Sequence, residues 1–337
     1  MIKRIGFACK WTELTDKGAE AVAELNNRST TVAWLNRQTK DIAEQRLYDI
    51  MLHNIAALKG LVARVGSLDH GLRMVRIGSD VLPVYTEPTW GYYWRASSIR
   101  ALCEREFNSI GQLARDLDVR LSMHPGQFTV LASDRPDVVD RSLEEFEYHA
   151  DIARWLGYGK TFQDFKINVH IAGKAGPAGI RAAYGRLSPE ARNTITIEND
   201  ENSWGLDACL ELVDTCPIVL DIHHHWVREG EYISSMDDRV RRVRDSWRDR
   251  RPTLHYSVSR EDCLRDHLTT VMPNMATLLS QGHKKGKLRA HSDYYWNTAV
   301  NSWALSFLKD FDIMCESKAK NLASQRLFEQ HKAVATS

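Results

Sequence analysis

The segments FKINVH (165–170) and TITIE (194–198) decide the fold of this chain. Each is a short apolar or β-branched run, which is typical of a buried parallel strand, and each ends in a residue type that binds metals. Four further runs follow the same rule, namely VRLSMH (119–124), PIVLD (217–221), TLH (253–255) and FDIMCE (311–316). The intervening stretches leave room for crossover helices, so the pattern predicts repeated β-α units.

RIGFAC (4–9) and LRMVRIG (72–78) bring the number of predicted strands to eight. The predicted fold class is α/β, with residues 1–337 forming a single (β/α)8 TIM barrel that has loop insertions and a C-terminal helical extension. Poorly matched insertions are expected near 10–40 and 260–290, and a frayed tail after about residue 330. A barrel directs the carboxyl ends of all strands to one face, so the terminal His, Glu and Asp side chains should converge there. The alternative, an open doubly wound sheet, would not bring strands three to eight to one centre.

The charge balance excludes a generally basic surface, because 45 Lys and Arg face 44 Asp and Glu and the net charge is +1. A local basic groove remains compatible with this balance, since patches rather than totals bind phosphates. Two runs are candidates, RVRRVRDSWRDRRP (239–252) and HKKGKLR (283–289). For the first run, a solvated helix with interspersed Asp is the simpler alternative.

The six cysteines are scattered without a CxxC motif, which indicates reduced thiols rather than a disulfide framework. The sequence has no apolar run of 18 residues and no signal-like N-terminus. We therefore expect a soluble cytoplasmic protein that does not bind membranes.

The predicted strand ends carry a mixed imidazole and carboxylate ligand set, comprising His124, His170, Glu198, Asp221, His255 and Glu316. Such a set suits Zn²⁺, Mn²⁺ or Fe²⁺, and carboxylates can bridge two ions. Ions about 3.5–4 Å apart stabilise the attacking and leaving oxygens of a phosphoryl displacement. The pattern therefore indicates phosphodiester hydrolysis, although any one of these histidines taken alone is more often a satisfied structural residue.

Three further sets of residues are candidates for the same face. In the triple histidine after Asp221, His224 could reach the site if the chain turns, leaving His223 and His225 as supporting or surface groups. The motif HSDYYWN offers His291 and Asp293, or is simply a polar loop. Gln127 and Phe128 pair an amide with an aromatic ring, which could probe a disturbed base pair or be an ordinary loop pair.

The order of IGFAC, LRMVRIGSDVLP, LSMHPGQF, INVH, ITIEND, IVLDIHHH, LHYS, HSDYYW and FDIMCESK resembles that of the UV damage endonucleases. The resemblance extends from Ile5 to about Lys320 and is most specific in HPGQF, IEND and DIHHH. It implies a TIM barrel similar to endonuclease IV, with two or three divalent ions, Mn²⁺ before Zn²⁺ or Mg²⁺. It also implies cleavage of UV-damaged double-stranded DNA immediately 5′ to cyclobutane pyrimidine dimers or 6-4 photoproducts, leaving a 3′-hydroxyl and a 5′-phosphate.

Position by position, the resemblance implies one ion at His124, His170 and Glu198, a second at Glu198, Asp221, His255 and Glu316, and a third at His224 and His291. It gives Glu198, Asp221 and Glu316 catalytic roles, and it implies that Gln127 and Phe128 probe the lesion while Phe7 lines the groove. We further expect a monomer that uses no nucleotide cofactor.

The chain departs from the family pattern at Thr253, where members often have a lysine that can be modified to a carboxylate. Phe128 and Phe7 stand where members often have tyrosine. These departures leave the native metal, its occupancy and the lesion preference open. Two alternatives also stay open, a metal-dependent sugar isomerase or epimerase of similar barrel layout and a catalytically weakened damage-binding protein.

Overall fold

The computed structural model describes residues 2–335, so the last two residues of the expected frayed tail lie outside the described part. Its strands are β1 (Ile5–Ala8), β2 (Thr12–Thr15), β3 (Gly18–Ala21), β4 (Met74–Ile77), β5 (Arg120–Met123), β6 (Lys166–His170), β7 (Ile195–Glu198), β8 (Ile218–Val219), β9 (Thr253–Tyr256) and β10 (Asp312–Cys315).

The α-helices connect these strands and cover the outside of the barrel. They are α1 (Val32–Leu35), α2 (Lys40–Gly66), α3 (Tyr92–Arg95), α4 (Ser97–Asp116), α5 (Pro136–Trp155), α6 (Gly176–Arg186), α7 (Pro189–Thr194), α8 (Leu206–Leu210), α9 (Ile222–Glu229), α10 (Asp238–Ser246), α11 (Met275–Ser280), α12 (Lys285–Leu288), α13 (Thr298–Leu305) and α14 (Lys320–Ala335). Within residues 2–335, no helix combines the length and apolarity needed to cross a membrane.

Eight parallel strands form one sheet in the order β8, β7, β6, β5, β4, β1, β10, β9. The two edges of this sheet meet where β8 ends, because Asp221 and His255 form a parallel bridge. There the backbone N–H of His255 donates to the carbonyl of Leu220 at 3.0 Å. The sheet is thus a nearly closed barrel, which confirms the predicted TIM-barrel class and excludes the open doubly wound sheet.

Apolar and polar side chains alternate along β6, so one strand contributes to both the core and the site. Ile167 and Val169 are buried in the main hydrophobic core. The intervening side chains face the barrel interior, where Lys166 contacts His255 and Asn168 contacts Glu198. A strand with apolar residues on one face and polar residues on the other therefore packs the core with the first and forms the inner wall with the second.

The amino end of the barrel is closed by charged side chains around Asp312, the first residue of β10. Arg120 donates to its Oδ2 at 2.6 Å, and Arg251 donates to its Oδ1 at 2.7 Å. The backbone N–H of Arg4 adds a third bond at 2.9 Å. These contacts join the starts of four chain segments at the end opposite the strand-terminal histidines.

The segments 10–40 and 260–290 have structure of their own. In the first, β2 and β3 pair as an antiparallel hairpin, and Thr12 exchanges hydrogen bonds with Asn321 of α14 at 2.7 and 2.9 Å. The second follows β9 and contains α11 and α12. Since it leaves the carboxyl end of a barrel strand, it lies on the same face as the strand-terminal ligands.

Candidate metal centre

Glu198, the last residue of β7, is fully buried and lies between imidazoles of four chain segments. His124 Nε2 is 3.2 Å from its Oε2, and His255 Nδ1 is 3.1 Å from its Oε1. His170 Nε2 and His224 Nδ1 follow at 3.9 and 3.6 Å. A carboxylate enclosed by imidazoles in this way can share its two oxygens between neighbouring cations.

The gathered side chains form three potential ligand groups, in each of which the ligand atoms lie within 4.8 Å of one another. Glu198 and Asp221 each belong to two groups, so the groups adjoin. The three sets are His124, His170 and Glu198; Glu198, Asp221 and His224; and Asp221, His255 and Glu316.

The start of α9 brings His224 back to the site. Asp221 is the N-cap of this helix, and its Oδ1 accepts from the backbone N–H groups of His223 and His224 at 2.7 Å each. The chain therefore turns directly after β8, and His224 Nδ1 reaches 3.8 Å from Asp221 Oδ2. His223 and His225 are buried on other sides of the helix, where His225 Nε2 contacts Glu231 at 3.1 Å.

The ligand groups fit divalent cations, as a carboxylate oxygen of Asp221 indicates. Asp221 Oδ2 is buried and has no hydrogen-bond partner among the described residues. A buried carboxylate oxygen without a partner is costly unless it coordinates a cation. Oxygen and imidazole nitrogen are together the donors that Mn²⁺, Zn²⁺ and Fe²⁺ accept in proteins.

The local charges explain the protonation of these groups. Burial alone raises the pKa of Glu198, but His255 and His170 together outweigh it, and the pKa lies well below its usual range. Burial, with Glu198 and Glu316 nearby, raises the pKa of Asp221 to about 8. Burial lowers the pKa of His224, yet Asp221 and the surrounding carboxylates raise it to about 10. Without cations the centre therefore retains protons at neutral pH.

Two polar residues of β6 support the centre and were missed in the sequence. Lys166 Nζ lies 2.9 Å from His255 Nε2, and burial followed by the charge of Arg76 lowers its pKa to about 7. The amide of Asn168 donates to Glu198 Oε2. Lys166, Asn168 and His170 alternate within FKINVH, and this period of two was the available signal. An amine thus reaches His255 from β6, although Thr253 stands at the expected lysine position.

Charged groups around the ligands complete the site. Arg76 of β4, also missed, forms a partly buried ion pair with Glu316. Burial raises the pKa of Glu316, but Arg76 and His255 hold it well below its usual range. Asp200 Oδ2 lies 3.3 Å from His170 Nδ1, and Glu201 Oε2 lies 3.6 Å from His224 Nε2. Carboxylates on the far side of ligating imidazoles orient the rings and raise their basicity.

The structure does not bring His291 into the three ligand groups. Its ring centroid is 6.5 Å from that of His224 and 5.9 Å from that of His223. Asp293 is exposed, and its Oδ1 lies 3.6 Å from Lys318 Nζ. His291 therefore lies beside the centre, whereas Asp293 turns toward solvent.

The residues expected to contact the lesion differ in their exposure to solvent. Phe128 is 85 % exposed at a cavity of about 600 Å³ that Thr86, Val130 and Glu145 also line. Gln127 borders a second cavity of about 210 Å³, whose walls include His170 and His224. Phe7 is only 1 % exposed and packs edge-on against Trp11 at 5.9 Å, which corrects the expectation that it lines a groove. As a β1 residue inside the core, its ring has no face available to DNA.

A parallel barrel with adjoining His and carboxylate groups at its carboxyl ends defines a TIM barrel with a candidate metal centre. Residues 3–336 match the model of the family UV-endonuclease UvdE, and the chain belongs to this family. A UV-damage endonuclease of Schizosaccharomyces pombe is 26 % identical over 95 % of this chain and 49 % of that protein. One from Neurospora crassa is 30 % identical over 56 % of this chain and 30 % of that protein. The chain thus spans at most about half the length of these fungal relatives.

A relative of similar length is also a UV DNA damage endonuclease, and two solved structures share the fold. A UV DNA damage endonuclease of Bacillus thuringiensis is 22 % identical over 98 % of this chain and 95 % of that protein. The crystal structure of SacUVDE matches with a TM-score of 0.73 and 22 % identity over 99 % of both chains. Endonuclease IV from Thermus thermophilus has the same fold at a TM-score of 0.51 and 13 % identity, over 82 % of this chain and 94 % of that one.

Proposed function

We propose that this protein is a DNA repair endonuclease that hydrolyses the phosphodiester immediately 5′ to cyclobutane pyrimidine dimers and 6-4 photoproducts. The products would be a 3′-hydroxyl and a 5′-phosphate, and the enzyme would act as a monomer on double-stranded DNA. The observation that carries the proposal is the placement of Glu198 between imidazoles of His124, His170, His224 and His255 in a barrel of the UvdE family.

The proposed cofactors are two or three divalent cations, with Mn²⁺ the first candidate and Zn²⁺ or Mg²⁺ the others. The proposed ligands are His124, His170, Glu198, Asp221, His224, His255 and Glu316, and His291 requires a change of position to join them. Bound cations would supply charge neutralisation at the phosphate oxygens and lower the pKa of a water molecule.

Side chains around the centre orient its carboxylates and imidazoles. Asn168 donates to Glu198 and fixes the orientation of its carboxylate. Lys166 bonds His255 Nε2 and so leaves Nδ1 facing Glu198 and Glu316, at 3.1 and 3.4 Å. These contacts hold Glu198 and Glu316, and the backbone N–H groups of His223 and His224 hold Asp221. The three proposed catalytic carboxylates are thus positioned before substrate arrives, which limits the reorganisation needed for reaction.

Lesion recognition is assigned to Gln127 and Phe128. Phe128 projects into solvent, so its ring can stack on a base or enter a disturbed base step. Gln127 lines the cavity that His170 and His224 also line, so its amide can replace hydrogen bonds lost from a base pair held there. The pair thus links the lesion to the place of hydrolysis.

A nicking assay with defined metals tests the proposal. Protein stripped of metal and reloaded with Mn²⁺ is expected to nick irradiated plasmid, to leave unirradiated plasmid intact and to produce 3′-hydroxyl ends that a DNA polymerase extends without further processing. Binding of irradiated duplex without nicking would support the damage-binding alternative, and epimerisation of a free sugar would support the sugar-enzyme alternative. Either result would overturn the proposed activity.

A further inference from the structure

The two basic runs of the sequence lie at opposite ends of the barrel. The run 239–252 forms α10 and the connection that enters β9, and connections entering a barrel strand lie at the amino end. The run 283–289, here called the basic tract, follows β9 and lies on the carboxyl side, with the ligand groups. Topology therefore places only the basic tract on the face of the candidate metal centre.

Acidic neighbours neutralise most of the cations of α10. Arg239 bonds Asp237 and Glu231, both at 2.9 Å, and Arg241 pairs with Asp238. Arg244 pairs with Asp245 at 2.9 Å. An arginine already paired on the surface has little charge to offer a phosphate, so this helix is a solvated face rather than a nucleic-acid surface.

The basic tract has the opposite character. Its four cations, Lys284, Lys285, Lys287 and Arg289, are all exposed, and the tract contains no acidic residue. Among residues 2–335, no ion pair involves Lys284 or Lys287, and Lys285 Nζ donates to the backbone carbonyl of Arg228 at 2.7 Å. Two of these ammonium groups are thus unpaired and directed to solvent.

The basic tract is fixed firmly to the helix that carries His224. Leu288 is fully buried in a cluster with Trp226 and Val227 of α9. Ser259 Oγ also donates to the carbonyl of Leu288 at 2.5 Å. Arg289 contacts Glu201 at 3.1 Å, and Glu201 contacts His224 at 3.6 Å, so two ionic contacts connect the tract to the ligands. The backbone of the tract is therefore anchored beside the centre.

We infer that the basic tract binds the phosphate backbone of the DNA beside the metal centre, without reading sequence or damage. The inference rests on the proposed function and identifies which surface carries its electrostatic affinity. The occupant follows from charge complementarity, because two exposed ammonium groups without ion pairs, Lys284 and Lys287, lie on an anchored segment beside the centre and match neighbouring phosphates of a DNA backbone. Each cation that contacts a phosphate contributes roughly 0.9 to the slope of log affinity against log salt concentration.

The test compares Lys284→Gln/Lys287→Gln with the matched control Arg241→Gln/Arg244→Gln, which removes two equivalent charges from α10. Affinity for irradiated and unirradiated duplex is measured between about 50 and 200 mM salt, a range over which phosphate contacts change affinity strongly. We expect the lysine variant to lower the slope by about 2, so that its loss of affinity is roughly tenfold larger at the low salt than at the high salt. We expect equal losses for both duplexes and no change of slope in the control.

Several results would overturn the inference while leaving the proposed function intact. These are an unchanged slope in the lysine variant, an equal change in the control, or a loss confined to irradiated duplex. Lys284→Arg/Lys287→Arg keeps both charges and is expected to retain the slope, and a lost slope there would also contradict the inference. Failure of the unaltered protein to nick irradiated DNA would instead count against the proposed function.

Discussion

Each end of the barrel buries a strand-terminal carboxylate, but the neighbouring cations differ. At the amino end, Asp312 is bound by the permanently charged guanidinium groups of Arg120 and Arg251. At the carboxyl end, Asp221 faces the titratable imidazole of His224 and keeps one oxygen without a hydrogen-bond partner among the described residues. The first arrangement is complete in itself and holds strands together. The second is balanced in part by protons, and a cation can displace those protons.

The largest expected effect comes from the carboxyl end. Glu198→Gln removes the charge shared by two ligand groups but retains the size of the side chain, so metal content and nicking should both fall. Since loss of supporting contacts alone costs about 10–100-fold, we expect the loss of this ligand to slow nicking by more than about 100-fold. Elemental analysis and a plasmid nicking assay measure the two effects. Full metal content and normal nicking in this variant would show that Glu198 is not a metal ligand.

The matched change at the amino end should affect stability instead. Asp312→Asn leaves Arg120 and Arg251 without their buried counter-charge, which typically costs about 3 kcal/mol of unfolding free energy. We expect a lower urea midpoint and unchanged metal content per folded molecule. If the variant keeps its urea midpoint but loses metal, the amino end is not purely structural and the proposed difference between the two ends is wrong.

The affinity of the carboxyl end for metal should depend on pH. A cation must displace protons from Asp221, with a pKa of about 8, and from His224, with a pKa of about 10. Metal affinity is therefore expected to rise by about tenfold per pH unit for each proton displaced between about pH 6 and 8. Calorimetry in buffers of different ionisation enthalpy counts these protons. A metal affinity that does not change with pH would contradict the protonation of Asp221 and His224.

The same groups determine how the metal-free protein responds to pH. The folded state keeps a proton on His224 that the unfolded chain loses near pH 6.5, so its stabilising contribution is complete below about 6.5 and is lost as pH rises through about 10. Asp221 acts in the same direction, because its pKa is also raised on folding. Lys166 acts in the opposite direction, because its pKa is lowered to about 7 on folding, and it offsets His224 above that pH. The metal-free protein should therefore lose stability mainly between about pH 7 and 8 in urea titrations, through Asp221, and added Mn²⁺ should remove this dependence.

The smallest expected effect concerns lesion preference. Gln127→Ala/Phe128→Ala removes one stacking surface, worth about 1 kcal/mol at the low end of measured values, so the ratio of irradiated to unirradiated binding should fall about fivefold. Metal content should stay constant, since neither residue is in a ligand group. Phe7→Leu serves as the buried control and should leave the ratio unchanged. An unaltered ratio in the double variant would exclude the probing role.

The convergence of the strand-terminal His, Glu and Asp side chains was predictable from the sequence because each ends or follows a short apolar run. His124, His170, Glu198, Asp221, His255 and Glu316 meet as expected once parallel strands close into a barrel. The placement of Phe7 was not predictable in this way. An aromatic residue near a strand end fits either the groove or the core, and only packing against Trp11 decides between them.

The sequence by itself determined the strands, their order and the ligand types at their ends, because these depend on local periodicity and residue chemistry. Only the tertiary structure decided which charges meet. Lys166 reaches His255 across 89 positions, and Arg76 reaches Glu316 across 240. Likewise, barrel topology places the two basic runs of the sequence at opposite ends. Electrostatic pairing depends on distances through space, and those distances exist only after the sheet has closed.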